Sequence, residues 1–360
     1  MTKLLIVDDS ALMRRQLVTL FEAAGDFEIR QARNGQEAVD ENRSFKPDVV
    51  TLDINMPEMD GITALSLIMA ERPVPLVMVS SLTEKGALAT FEALNLGAVD
   101  YIAKPGGTIS LSIGEIKDEL LRKVRGAARA RLKGKGHPSA PAPRGLAIRP
   151  REERAKDPPL PEPSRRGGGR EGLVLIGVST GGPRTLEDIF PLLPADFPWP
   201  VLVAQHMPAA FTKPFAERLN ELCPLQVVEA AHPMPLEGGT IYIGKGGADM
   251  VVARRVNKLT VLPKPENRDF LWHPSVELMG RSALEHCAPA NVVAVMLTGM
   301  GYDGADAFAE IKKRGGRTIA ESEASAVVFG MPAELIERSG ASCVLPSEKI
   351  AAQITLWVGA

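Results

Sequence analysis

The sequence predicts an α/β protein with two domains, each built on a doubly wound parallel sheet, and a flexible linker between them. Short apolar runs alternate with amphipathic stretches in both halves of the chain, which is typical of parallel sheets covered by helices. A basic stretch rich in Pro and Gly separates the halves, and polar side chains recur where predicted strands end. The 360 residues suffice for two domains, because domains usually hold ~100–200 residues.

The first half, residues 1–124, repeats a strand followed by a helix. The predicted strands are short, rich in Val, Ile and Leu, and bounded by turn residues: Leu4–Val7, Phe27–Gln31, Val49–Leu52, Leu76–Ser80 and Val99–Ala103. The predicted helices carry apolar residues at helical spacing: Ala11–Ala24, Gly35–Arg43, Ile62–Ala70, Gly86–Leu96 and Ile113–Leu132. This alternation predicts a parallel sheet with helices on both faces.

The predicted linker spans residues 125–171. It is dense in proline from Pro138 to Pro163 and ends in Gly167–Gly169. Because it has few large apolar residues, burial cannot offset the entropy lost on ordering. Its Arg and Lys residues outnumber its acids. The composition favours a solvated linker, and a basic tether that docks an acidic partner is the alternative.

The second half, residues 172–360, returns to the alternating pattern. Leu173–Val178, Pro200–Ala204 and Val292–Leu297 are near-continuous apolar runs, as expected for strands covered on both faces. Ile241–Ile243 and the two runs after it are shorter and surrounded by Gly and Pro. We therefore expect a small antiparallel element, inserted mid-domain, from three short strands: Ile241–Ile243, Met250–Ala253 and Leu259–Leu262.

Composition and charge argue against several classes of protein. The formal net charge of −2 gives no general reason to expect nucleic-acid or membrane binding. The three cysteines lie too far apart for a zinc or redox motif. Met1–Val7 leads directly into a strand rather than a signal peptide, and no apolar run is long enough to span a membrane. We expect a cytoplasmic protein without membrane insertion or a nucleic-acid partner.

Acidic side chains converge at the strand ends of the first half. Asp8 and Asp9 follow the first predicted strand, and Asp53 follows the third. The carboxyl ends of parallel strands form the crevice where ligands bind, and three carboxylates there favour Mg²⁺. Asp53 could then attack a phosphoryl donor, with Ser80 and Lys104 at two further strand ends contacting the phosphoryl oxygens. Helix capping explains single aspartates, but not the whole set.

These residues resemble the response-regulator receiver family over residues 1–124. The resemblance is carried by Asp8-Asp9-Ser10, Asp53, Met56–Gly61, Ser80 and Lys104-Pro105. It implies a flavodoxin-like fold in which a histidine kinase donates the phosphoryl group. It also implies a role for each matching residue: Asp53 as phosphoacceptor, Asp8 and Asp9 as Mg²⁺ ligands, Asn55 as a backbone-carbonyl ligand, and Ser80, Tyr101 and Lys104 as the switch residues.

A second polar set follows the strands of the second half. Ser179 comes after Leu173–Val178 at a glycine turn that opens a helix. Alone, this turn could hold the phosphates of a nucleotide, although it lacks G-x-G-x-x-G and the Walker lysine. His206 and Asp303 follow two further predicted strands. Serine, histidine and aspartate at three strand ends predict a hydrolase triad, whose chain order differs between folds.

Chemistry then predicts the roles at this second site. Ser179 would attack an ester carbonyl, His206 would accept and return its proton, and Asp303 would orient the imidazole. We expect the Thr180 side chain to steady the site by hydrogen bonding. Backbone N–H groups near Met300, in a glycine-lined loop, would form the oxyanion hole. This half requires neither cofactor nor metal.

Residues 172–355 resemble the catalytic domain of the chemotaxis protein-glutamate methylesterases, the CheB family. The resemblance is carried by these runs: Ile176–Pro183, Gln205–Pro208, Phe211-Thr212, Phe215–Asn220, Pro274–Val276, Leu297–Ala305 and Phe329–Pro332. It implies hydrolysis of glutamate methyl esters on chemoreceptor helices, giving a carboxylate and methanol, and deamidation of receptor glutamines in many members. It further implies that the unphosphorylated receiver covers the active-site face, and that the chemotaxis histidine kinase relieves this block.

Some positions depart from the family pattern, and we interpret them as rim positions: Gly244–Asp249, Trp272-His273, Glu277 and Glu321. They keep open a paralogue that hydrolyses another ester or amide. A receiver whose second domain only binds a partner or nucleotide is a further alternative, against which the intact Ser179, His206 and Asp303 set argues. A transcription factor is disfavoured because the second half lacks a short basic helix pair.

Overall fold

This computed structural model describes residues 1–81, 83–104, 109–130 and 172–359. The first sheet has five parallel strands. Its strands are β1 Thr2–Val7, β2 Phe27–Ala32, β3 Val49–Asp53, β4 Leu76–Ser81 and β5 Asp100–Lys104. Its helices are α1 Ala11–Ala24, α2 Gly35–Ser44, α3 Gly61–Glu71, α4 Glu84–Leu96 and α5 Ile109–Ala128. The strand order β2-β1-β3-β4-β5 is the flavodoxin-like order, so the predicted fold of this half is confirmed.

Side-chain caps begin the helices on the strand-end side of this sheet. Ser10, Asn34 and Asp60 each accept a hydrogen bond from the backbone N–H three residues later. These bonds satisfy N–H groups that the first helical turn leaves unpaired. Gly25 ends α1 with φ 77°, a left-handed conformation that favours glycine. Local sequence therefore fixes where the chain turns back onto the sheet.

Helix α5 continues the folded part of the first half beyond Val124, to Ala128. Arg125 in its last turn pairs with Asp26, with 2.9 Å between Nε and Oδ2. Most of the predicted linker, residues 131–171, lies outside the described residues. Within the described ranges, no helix combines the length and apolar character that a membrane span requires.

The second sheet has seven parallel strands in the order β15-β14-β13-β6-β7-β10-β8. Its strands are β6 Leu173–Val178, β7 Val201–Gln205, β8 Gln226–Ala230, β10 Thr240–Gly244, β13 Val292–Met296, β14 Arg317–Glu321 and β15 Cys343–Leu345. The helices of this half are α6 Gly182–Ile189, α7 Ala209–Leu222, α8 Val276–His286, α9 Ala305–Lys313, α10 Met331–Glu337 and α11 Ser347–Val358. The predicted doubly wound fold of this half is confirmed. The strands after β6 are added on one side of it, and β13, β14 and β15 are added on the other.

The antiparallel element consists of β9 Met234–Pro235, β11 Asp249–Arg255 and β12 Lys258–Lys264, in the order β11-β12-β9. The expectation that Ile241–Ile243 belongs to it was wrong. These residues lie in β10, which pairs in parallel with β7 and β8 and is buried along its whole length. The run is short and flanked by glycine, so the sequence does not distinguish a buried central strand from a hairpin strand.

Aromatic side chains join the two halves. Phe91 of α4 packs against Phe215 of α7, with ring centroids 5.3 Å apart. Phe211 of α7 lies 4.7 Å from the ring of Tyr101 in β5. We call Phe91, Tyr101, Phe211 and Phe215 the interdomain aromatic cluster, and all four are buried. Both halves accordingly belong to one compact unit.

Candidate active site

The predicted acidic pocket forms where β1 and β3 end side by side. Asp8 and Asp53 are buried and Asp9 is exposed, and all three offer carboxylate oxygens within 4.8 Å of one another. Lys104, from the end of β5, lies between them. Its Nζ is 2.9 Å from Asp8 Oδ2 and 2.7 Å from Asp53 Oδ2. The structure thus brings together four of the residues that the sequence placed at this site.

Charge in this pocket is only partly balanced. Burial raises the pKa of the Asp53 carboxyl and Asp8 adds to that effect, which the Lys104 ammonium partly opposes. Burial alone would lower the pKa of Lys104, but Asp53 and Asp8 raise it above its usual value. Three carboxylates facing one ammonium leave negative charge and hard oxygen donors, so the residues present fit Mg²⁺.

The loop after β3 is held close to the phosphoacceptor candidate. Gly61 donates its N–H to the carbonyl of Ile54 at 2.9 Å. A Cβ at Gly61 would lie 1.9 Å from the carbonyl oxygen of Asp53, so no side chain fits there. Asn55 is exposed in this loop, where its backbone carbonyl is the predicted further Mg²⁺ ligand.

The two other switch candidates lie on β4 and β5. Ser80 is buried and its hydroxyl donates to the carbonyl of Gly86 at 3.2 Å. Tyr101 is buried against Phe211, and within the described part of the chain its hydroxyl has no hydrogen-bond partner. Burial, with smaller contributions from Asp100 and Glu119, raises the pKa of Tyr101 well above its usual value. The tyrosine side chain therefore bridges the first half and the second.

The predicted nucleophile lies at the edge where β6 ends. Ser179 donates its N–H to the carbonyl of Thr298 at 3.0 Å, and Gln205 Nε2 donates to the Ser179 carbonyl at 3.1 Å. A Cβ at Gly299 would lie 2.7 Å from the Ser179 Cβ. Glycine at position 299 thus lets two strand-end loops meet beside Ser179. Ser179 itself is half-buried.

The histidine and aspartate of the predicted triad are in direct contact. Nε2 of His206 lies 2.9 Å from Oδ2 of Asp303. Nδ1 of His206 is buried and has no hydrogen-bond partner among the described residues. Ser179 and His206 line one cavity of about 390 Å³. With Nε2 engaged, Nδ1 is the nitrogen available to take a proton from a nucleophile in this cavity.

Asp303 is fixed from its other side by the beginning of α8. Its carboxylate accepts hydrogen bonds from Val276 N at 2.7 Å, Glu277 N at 3.0 Å and Ser275 Oγ at 3.1 Å. Burial alone would raise the pKa of Asp303, but the His206 contact and these N–H donors hold it below its usual value. An ionised Asp303 is the form that stabilises a charged imidazole.

A second histidine–aspartate pair adjoins the first. Asp249 is buried, and its Oδ1 lies 2.8 Å from His273 Nδ1 and 2.9 Å from Ser275 N. Ser275 therefore contacts both buried aspartates, Asp249 through its N–H and Asp303 through its hydroxyl. His273 lines the same cavity as Ser179 and His206. Sequence reasoning missed this network.

Aromatic and glycine residues form one wall of the cavity. The ring of Trp272 is parallel to that of His206, with 5.9 Å between centroids and 8° between planes. Gly301 has φ 85°, and a Cβ there would lie 2.6 Å from Cζ2 of Trp272. Met300, the predicted oxyanion residue, lies between Gly299 and Gly301 and lines the cavity. The glycines allow both the loop and the indole to approach the histidine.

The first half closes part of this cavity. Glu119, Arg122 and Lys123 of α5 line it, and a Cβ at Gly126 would lie 2.1 Å from Sδ of Met300. Thr180, whose side chain is predicted to steady the site by hydrogen bonding, donates its hydroxyl to Oδ2 of Asp100 at 2.6 Å. The residue after the nucleophile is thus tied to the first half.

The interpretation of the departing positions as rim residues was wrong for five of them: Asp249 and His273 of the second pair, and Trp272, Glu277 and Glu321. Trp272 contacts His206, as described above. Glu277 is buried and accepts a hydrogen bond from Ala307 N at 2.9 Å. Glu321 is buried and accepts one from Thr298 N at 2.8 Å, which supports the loop behind Ser179. A glutamate that is buried in order to accept a backbone hydrogen bond leaves no periodic pattern in a single sequence, so these positions could not be recognised as buried.

Comparison with known proteins identifies both halves. Residues 174–354 match the CheB methylesterase family and residues 4–112 the response regulator receiver domain. Protein-glutamate methylesterase/protein-glutamine glutaminase 3 of Rhodospirillum rubrum is 57% identical over 99% of this chain and 96% of the relative. The corresponding protein 2 of Rhodopseudomonas palustris is 52% identical over 99% and 98%.

A solved structure agrees with these relatives. The Thermotoga maritima CheB methylesterase catalytic domain is 37% identical, covers 52% of this chain and 98% of its own, and has a TM-score of 0.50. The identity to the Rhodospirillum rubrum protein exceeds one half over nearly the whole chain, so the similarity includes both halves in the same order. The chain belongs to the CheB family of protein-glutamate methylesterases with an N-terminal receiver domain.

Proposed function

We propose that this chain is a phosphorylation-activated serine esterase that hydrolyses glutamate methyl esters on chemoreceptor helices. Residues 1–124 would be the regulatory domain, 125–171 the linker and 172–360 the catalytic domain. The observation that carries the proposal is the His206–Asp303 contact of 2.9 Å, which leaves Nδ1 of His206 without a hydrogen-bond partner among the described residues. Ser179 and His206 line the same cavity.

The proposed reaction uses only side chains and backbone of the second half. Ser179 Oγ attacks the ester carbonyl while Nδ1 of His206 takes its proton, and Asp303 stabilises the imidazolium that forms. The N–H of Met300 and its neighbours would hold the oxyanion. The imidazolium returns the proton to the leaving methoxide, and water then hydrolyses the acyl-enzyme to a carboxylate. A receptor glutamine amide would react by the same steps, releasing ammonia.

Regulation would come from the acidic pocket. Asp8, Asp9 and Asp53, with the backbone carbonyl of Asn55, would hold Mg²⁺, which when bound neutralises charge on a transferring phosphoryl group. Asp53 would take the phosphoryl group from a chemotaxis histidine kinase in the cytoplasm. Ser80, Lys104 and Tyr101 would then move with the new phosphoryl oxygens. The packing of Tyr101 on Phe211 and of α5 beside Met300 supports the view that such movement uncovers Ser179.

Methanol release from carboxyl-methylated chemoreceptor membranes tests the proposal. Wild type, Ser179→Ala, Asp53→Ala and the exposed-serine control Ser66→Ala are assayed with and without Mg²⁺ and a small-molecule phosphodonor. We expect release that the donor stimulates in wild type and the control, no release in Ser179→Ala, and release without stimulation in Asp53→Ala. No release from folded, phosphorylated wild type would contradict the proposed substrate.

A different ester or amide substrate is the second candidate. It is favoured by Trp272 and His273, which depart from the family pattern and line the cavity rather than its rim. In that case a small aryl ester would be hydrolysed and Ser179→Ala would abolish its hydrolysis, whereas methylated receptors would release no methanol. Aryl ester and receptor membranes are therefore assayed with the same enzyme preparation.

A further inference from the structure

The indole of Trp272 lies parallel to the imidazole of His206. The two ring planes differ by 8° and the centroids are 5.9 Å apart. The ring of Trp272 is therefore aligned with the histidine, whereas an indole packed for apolar burial alone would need no particular angle to it. Its segment precedes Ser275, which caps α8 and bonds to Asp303, so indole and aspartate are held by one stretch of chain.

Trp272 is itself held from several sides. The ring of Tyr302 meets it edge-on, with 5.2 Å between centroids and 88° between planes. Gly301 leaves the space that the indole fills, since a Cβ there would lie 2.6 Å from it. The guanidinium of Arg122, from α5, lies 5.7 Å from its centroid. These contacts restrain the indole against rotation.

His206 needs such a restraint. Its contact with Asp303 fixes one ring nitrogen, but a ring held at one atom can still turn about the Cβ–Cγ bond. Turning would move Nδ1 relative to the serine hydroxyl, and small misplacements of a base reduce the rate of proton transfer strongly. A flat, parallel neighbour restricts that rotation.

We propose that Trp272 is a positioning residue, whose indole stacks on His206 and holds Nδ1 in line with the serine nucleophile. The inference rests on the proposed function in taking His206 as the base for Ser179. It adds to the triad a fourth side chain that acts through the histidine. It also gives a reason why Gly301 has no side chain, since the indole occupies that space.

Two substitutions separate ring stacking from bulk. Trp272→Phe keeps a flat ring, whereas Trp272→Leu keeps apolar volume without one. Trp357→Leu is the matched control, because Trp357 in α11 also lies under an arginine, Arg317, with 5.6 Å between guanidinium and ring centroid. The full chain is used with Mg²⁺ and phosphodonor, and thermal unfolding confirms that each variant is folded.

The first readout is the rate at which a fluorophosphonate labels Ser179, which needs the base but no receptor. The second is kcat and KM for methanol release. We expect Trp272→Leu to slow labelling and kcat roughly 10- to 100-fold, in the range of a misplaced general base, with KM changed less than about threefold. Trp272→Phe should recover most of both rates, and Trp357→Leu should match wild type.

Other outcomes overturn the inference. Unchanged labelling in Trp272→Leu would show that the indole does not position His206. A raised KM with unchanged kcat would show that Trp272 contributes to substrate binding and does not position His206. Labelling of wild type without methanol release would contradict only the proposed substrate. The labelling rates of the variants would then decide whether Trp272 positions His206. A wild type whose Ser179 does not react would overturn both.

Discussion

The hydroxyl of Thr180 donates a 2.6 Å hydrogen bond to the carboxylate of Asp100. Thr180 follows the candidate nucleophile Ser179, and Asp100 precedes the candidate switch residue Tyr101. Asp100 also pairs with the ammonium of Lys123, at 3.2 Å. One buried hydrogen bond therefore links the segment that phosphorylation is expected to move with the segment that carries the nucleophile.

We predict that Thr180→Val raises esterase activity in the absence of a phosphodonor. A hydrogen bond to a charged group stabilises by about 1.5–3 kcal/mol, so its loss should favour the open arrangement roughly tenfold or more. The stimulation ratio should fall by the same factor. Thr185→Val is the control, because Thr185 is equally buried but bonds to Gly181 near the start of its own helix. Unchanged basal activity in Thr180→Val would count against the link.

We predict a similar effect for Gly126→Ala. The new methyl group would meet Sδ of Met300 at 2.1 Å, so the side chain or the helix must shift. Overpacking of about 1 kcal/mol corresponds to a roughly fivefold rise in basal activity. Lys117→Ala, an exposed position on the same helix, controls for the better helix propensity of alanine. Equal basal rates in the two variants would mean that Met300 simply rotates away.

We predict that Lys104→Met makes the protein depend more on Mg²⁺ for stability. Removing the ammonium leaves Asp8 and Asp53 buried without their cation, which is strongly destabilising in similar sites. The variant should unfold at a lower temperature without metal and gain more from Mg²⁺ than wild type does. Thermal unfolding across a Mg²⁺ titration measures this, with the exposed Lys213→Met as control. Equal Mg²⁺-induced shifts would argue that no metal binds among these carboxylates.

We predict a pH-dependent stability contribution from Asp303. Because its folded-state pKa is lowered, the contribution is fully present above the unfolded value of about 3.9 and is lost as pH falls through the folded pKa. Wild type should exceed Asp303→Asn in free energy of unfolding by a constant amount at neutral pH. That difference should shrink below about pH 4. Urea unfolding at several pH values checks this, with exposed Asp196→Asn as control, and a difference that stays constant in acid would contradict it.

Much of the fold could be predicted because its signals are local. The bounds of α1 and β6 match the predicted Ala11–Ala24 and Leu173–Val178, since caps and apolar runs mark them. The placement of β10 could not be predicted, because pairing partners are set by tertiary packing. Its burial between β7 and β8 leaves no trace in a five-residue pattern.

The candidate site also contains some contacts that could be predicted from the sequence and others that could not. Asp8, Asp53 and Lys104 meet in the structure because strand ends of a parallel sheet share an edge, which sequence reasoning can use. The Asp249–His273 contact could not be anticipated, because its residues come from a hairpin and a loop whose approach depends on the whole domain. Nor could the partner of Thr180, which lies in the other half of the chain.

The interdomain aromatic cluster bears on the solubility of the protein, if activation separates the halves as proposed. Separation of the halves would bring Phe91, Tyr101 and Phe211 into contact with water, at about 25 cal/mol per Å² of apolar surface. Contiguous apolar patches of this kind promote self-association. We expect separation of the halves to lower solubility, so that their return to contact would protect the protein from aggregation.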